Sequence, residues 1–204
     1  RQFKFHRGLY DAFGLSKASP VYADIPKPQF CVTHDDHVVL GAWSTKPETV
    51  YYSDRYDDSV FTGASSGSLN VGDKVTGLKT FRDDLIIFSL HSINKLVNIN
   101  VSASIAITDV TRNIGCIDGF SIQEIGGDLV FLAPDGIRTV AATARIDDIE
   151  LSSISHKILP VISDLVNSLN SYDVSSAVIR TQNQYRLFYC TSTTSKLGQK
   201  GIVG

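Results

Sequence analysis

Residues 84–96 read DLIIFSLHSINKL, and residues 128–140 read DLVFLAPDGIRTV. Asp84-Leu85 aligns with Asp128-Leu129, Ile93 with Ile137 and Leu96 with Val140, each pair 44 residues apart. In both stretches an apolar run follows an acidic turn residue, and a polar turn then leads to a second, shorter run. The runs Leu85-Ile86-Ile87-Phe88 and Leu129-Val130-Phe131-Leu132 show no polar alternation. A strand that is apolar on both faces needs cover on both sides, and stacked sheets supply it.

Working outward, Leu78-Lys79-Thr80-Phe81 and the turn Arg82-Asp83-Asp84 add a strand before the first run. Phe120 to Ile125, with the turn Gly126-Gly127-Asp128, are predicted to do the same before the second. Weaker copies lie one period away on either side. His37-Val38-Val39-Leu40 is upstream, and Ala177 to Arg180, the turn Thr181 to Gln184 and Tyr185 to Tyr189 are downstream. A repeat of roughly forty residues that holds three or four short strands is the pattern of a propeller blade. The expected fold is all-β, made of β-propeller-like repeated antiparallel meanders with one short inserted helix. Val50-Tyr51-Tyr52 is a further predicted strand, and the Gly- and Ser-rich stretch from Gly63 to Gly72 reads as a loop.

The helix is expected at about residues 160–169 within an insertion at about 155–169. Helical spacing places Ile158, Ile162, Leu165, Val166 and Leu169 on one face. Pro160 suits a first helical turn, where its missing N–H costs nothing, and Ser155 to Leu159 then form a separate turn. The domain plan is an N-terminal arm or linker over residues 1–30, a propeller-like region over 31–190, and a C-terminal linker over 191–204. The arm carries Phe3, Phe5, Leu9, Tyr10 and Phe13 and is set off by Pro20, Pro26 and Pro28. Such aromatics need a surface to cover them, which makes the arm a candidate assembly element. The absence of any Met and the unusual ends point to a piece of a longer polypeptide.

Apolar residues make up 43 % of the chain, enough for a packed core. The net charge of −2 argues against general attraction to nucleic acid or anionic lipid. No apolar run is long enough for a transmembrane helix, and the N-terminus does not read as a signal peptide. Cys31, Cys116 and Cys190 lie too far apart for a metal or redox pair. Each has apolar neighbours and reads as a buried free thiol in a protein made in a reducing compartment.

Several of these segments together resemble a known family. They are Val50-Tyr51-Tyr52-Ser53-Asp54, Val71-Gly72-Asp73, Thr76-Gly77-Leu78 and Asp84-Leu85-Ile86-Ile87-Phe88 with Ser92-Ile93. Gly115-Cys116, Gly126 to Leu132, Asp135-Gly136-Ile137 and Ser155-His156-Lys157-Ile158 continue the pattern. The chain from about residue 31 to 190 resembles the propeller portion of the tail nozzle proteins of short-tailed bacteriophages, the tail tubular protein B family. The resemblance implies a structural component of the virion tail, assembled in the host cytoplasm. It also implies self-association in a ring, usually a hexamer, that contacts a tail adaptor ring and tail fibre proteins. DNA would pass through the lumen during ejection without specific binding. Members are much longer than this chain. The resemblance brings no catalytic, cofactor-binding or metal residues and no membrane anchor.

The residue types that carry chemistry in other proteins have plainer readings here. His34 and His37 flank Asp35-Asp36, and His-x-x-His can hold a metal only with a third ligand, so a solvated hairpin turn is the simpler reading. Asp54, Asp57 and Asp58 lack the alternation and central Gly of a calcium loop. No serine sits in a Gly-x-Ser-x-Gly elbow, and Gly63 to Gly72 lack the Gly-Lys-Ser/Thr of a phosphate loop. Asp128 and Asp135 suggest a glycosidase pair only loosely, because both occupy Gly-flanked turns where Asp is expected for backbone reasons. No enzyme activity is expected. The alternative function is a carbohydrate-binding β-propeller module that stacks sugars on Trp43, Tyr51, Tyr52, Tyr56 and Phe61.

Overall fold

The structure is a computed structural model that describes residues 28–58, 60–101, 103–141, 159–168, 174–190 and 199–204. It is β-rich, with antiparallel up-and-down sheets of the kind that form propeller blades. The chain divides into two compact units, Arg1–Ile87 with Asn94–Thr108 and Phe88–Ile93 with Asp109–Gly204.

In the first unit, β1 (Phe30–His34), β2 (His37–Gly41), β3 (Thr49–Tyr52) and β4 (Gly67–Asn70) form a four-stranded meander in chain order. β4 corrects the loop expected from Gly63 to Gly72. Its Gly-Ser-Leu-Asn sequence has little strand propensity, but Val50 pairs with Leu69 and Tyr52 with Gly67. A Cβ at Gly67 would stand 2.6 Å from the Tyr52 phenol oxygen, so any side chain there would have to displace the Tyr52 ring. Leu69 packs against the core, and pairing plus burial override composition.

A second four-stranded meander follows, with β5 (Val75–Phe81), β6 (Asp84–Ser89), β7 (Ile93–Val97) and β8 (Ala106–Thr111). The core of the first unit unites Val39, Val50 and Tyr52 with Val75, Leu78, Leu85, Ile87, Leu96 and Ile99. The Thr80 hydroxyl donates to the Thr33 carbonyl at 2.9 Å and fastens β5 to β1.

The second unit contains the sheet of β9 (Gln123–Ile125), β10 (Asp128–Ala133) and β11 (Gly136–Thr139). β6 and β10 begin 44 residues apart, at Asp84 and Asp128, as the repeat predicts. Leu85, Ile87, Leu129 and Phe131 are fully buried. Phe88 and Phe131 meet at a ring separation of 5.4 Å. The strand expected over Phe120 to Ile125 is shorter than its sequence pattern. Gly119–Ser121 form a 3-10 turn because the Asp118 carboxylate accepts the Phe120 N–H at 2.8 Å and caps it.

The helix α1 covers Leu159–Ser168, close to its predicted span, with Pro160 in the first turn. Ile162 and Leu165 are buried against Val130, Leu132 and Ile137, and Val166 is partly buried. Ile158, Leu169 and Ser155 to Lys157 lie outside the described residues, as does the aromatic arm. The last sheet contains β12 (Val174–Ile179), β13 (Gln184–Cys190) and β14 (Gln199–Val203). β14 occupies part of the expected C-terminal linker, and Phe188 pairs with Gly201 and Leu187 with Ile202. A 3-10 turn at Arg180–Gln182 joins β12 to β13, closed by Asn183 in the left-handed region at φ 51°. Phe30, placed in the arm by sequence, opens β1.

Candidate functional site

The β1–β2 hairpin builds one side of a cleft in the first unit. His34 pairs with His37 in register, which leaves Asp35 and Asp36 as the two-residue loop. Both take left-handed backbone angles, φ 47° and 64°, as a primed hairpin turn requires and Asp tolerates. The Tyr56 N–H donates to the Asp36 carbonyl at 3.0 Å and ties the 53–58 loop to the hairpin tip. Thr80, Arg82 and Asp83 form the facing wall of a cleft of about 690 Å³ that also takes in Asp58 and Tyr56.

The imidazoles sit low in this cleft. His37 Nδ1 lies 2.7 Å from the Ser53 carbonyl oxygen, which can only accept, so Nδ1 carries the proton. Its Nε2 is buried and has no hydrogen-bond partner among the described residues. His34 Nε2 stands 3.9 Å from Asp35 Oδ2. Asp36 faces Arg55 at 3.5 Å, and the Arg55 guanidinium lies 4.8 Å above the Tyr56 ring. Both partners of that ion pair are about half exposed, so it contributes little to stability. Among the described residues no three His, Cys, Asp or Glu side chains are placed to hold a metal ion.

Asp54 and Asp128 serve the backbone, and Asp135 holds a buried arginine. Asp54 Oδ1 accepts the N–H groups of Arg55 and Ser65, each at 3.1 Å, and also the Ser65 hydroxyl. A Cβ at Gly63 would overlap that carboxylate. Asp128 accepts Leu129 N–H at 2.8 Å and Ala141 N–H at 3.1 Å. Asp135 makes a two-point pair with Arg138, whose guanidinium is buried while Asp135 is partly exposed. The fork geometry suits such a pair.

The five aromatics do not share an exposed face. Trp43 is buried, with Tyr51 tilted against it at 4.6 Å, and Tyr52 is buried edge-on to His37 at 6.0 Å. Phe61 is half-buried, while Tyr56 is 76 % exposed at the cleft rim.

One polar constellation was not legible from sequence. In the second unit the Cys116 thiol donates to the Asp118 carbonyl at 3.2 Å, and the Ser121 hydroxyl donates to the same carbonyl at 2.5 Å. Leu132 N–H donates back to Ser121 Oγ at 3.0 Å. Burial pushes the Cys116 thiol up to about 12, against the weaker lowering effect of Ser121 and the Asp118 backbone. A thiol that stays protonated is a poor nucleophile, so the cluster has the chemistry of a structural lock. Of the three cysteines only Cys116 is buried, which corrects the expectation for the other two. Cys31 is exposed because it takes an outward position in the alternation of β1, and Cys190 is half-buried at the end of β13.

No protein family model matches the chain, and no curated protein matches it. Among solved structures, the N-terminal domain of Nup159 is similar at a TM-score of 0.45 and 14 % identity, over 88 % of this chain and 44 % of that one. This chain thus spans less than half of that domain.

Proposed function

We propose that the chain is a structural component of a bacteriophage tail, part of a ring-forming nozzle protein through which DNA passes. One observation carries the reading. The segments that resemble nozzle proteins coincide with the repeated sheet framework, Asp84 to Phe88 in β6 and Asp128 to Leu132 in β10, at matching positions 44 residues apart. The carboxylates Asp54, Asp128 and Asp135 are occupied in holding backbone or a buried arginine, which fits a mechanical role. The partners are further copies in a ring, a tail adaptor ring and tail fibre proteins, in the virion tail.

A channel that passes DNA has to hold it weakly, and the net charge of −2 suits that task. The test is sedimentation of the full-length protein with and without duplex DNA at about 0.15 M salt. A multimeric species that leaves the duplex free supports the proposal. A monomer, or a multimer with submicromolar DNA affinity and a steep salt slope, overturns it.

The carbohydrate-binding alternative rests on Tyr56, an exposed ring beside the carboxylates of the hairpin cleft. Saturable binding on a glycan array that disappears in Tyr56→Ala would favour it.

A further inference from the structure

We draw no further inference here: the strongest candidate, the acidic cleft at the β1–β2 hairpin lined by His34, Asp35, Asp36, Asp58 and Asp83, belongs to the site already described, and nothing in the structure beyond its own side chains points to a ligand.

Discussion

The phenol of Tyr185 donates a 2.7 Å hydrogen bond to the backbone carbonyl of Ser121 across 64 residues of sequence. Tyr185 stands on β13, and Ser121 ends the 3-10 turn that precedes β9. The bond joins the last sheet to the one before it inside the second unit. It is reinforced where Ser176 Oγ donates to the Phe120 carbonyl at 2.6 Å and Gln123 Nε2 donates to the Ser176 carbonyl at 3.2 Å. These two sheets are therefore held by polar clasps as well as by apolar packing.

Tyr185→Phe removes the phenol and leaves the Ser121 carbonyl without this buried donor. The expected loss is about 1–3 kcal/mol, the cost of an unsatisfied buried acceptor. Urea unfolding of parent and variant measures it. An unchanged midpoint would show that the clasp contributes nothing.

Gly115→Ala sets a methyl group against the Ser89 carbonyl and the backbone of Leu90. Backbone cannot rotate aside as a side chain can, and Cys116 N–H donates to that same Ser89 carbonyl at 2.8 Å. The variant should lose about 1–3 kcal/mol or more. Gly126→Ala meets open space, and its cost is only that of φ 60°, about 1 kcal/mol. Thermal melts that rank the two in the opposite order would contradict this geometry.

Leu85→Ala and Leu129→Ala should behave alike, because the two leucines hold equivalent positions in β6 and β10 and both are fully buried. Each should cost about 2–5 kcal/mol. Chemical denaturation with a loss below about 0.5 kcal/mol at either site would remove that strand from the core.

Alkaline stability should depend on Cys116. Below its ordinary value near 9 the thiol is protonated in both folded and unfolded chains and gives no slope. Between there and about 12 only the unfolded chain ionises, so stability falls as pH rises. The slope is at most ~1.4 kcal/mol per pH unit from this group. Tyr185, raised chiefly by burial from its ordinary 10, adds to the loss once the pH passes that ordinary value. Denaturant titrations at successive pH values should show a shallower alkaline slope in Cys116→Ala than in the parent. Identical slopes would exclude the thiol as the cause.

The central strands were readable because both faces of Leu85 to Phe88 and Leu129 to Leu132 are apolar, a property of the residues themselves. The outer strands were harder. β4 and β14 owe their structure to the edges of β3 and β13, and their own Gly-containing sequences carry little signal. β8, with mostly exposed or half-buried positions, offers no apolar run to find. At the hairpin, His34-Asp35-Asp36-His37 was legible as a turn. Its cleft was not, because the facing wall comes from Thr80, Arg82 and Asp83, brought near by the fold. The Cys116 cluster was hidden for the same reason, since Leu132 supplies a main-chain donor that no sequence pattern encodes.

The most direct test of the central claim is electron microscopy of the purified full-length protein. A ring of copies around an open lumen, with propeller-like meanders as its repeating density, is the predicted result. Single compact particles at micromolar concentration, with no ring even after mixing with tail adaptor protein, would contradict it.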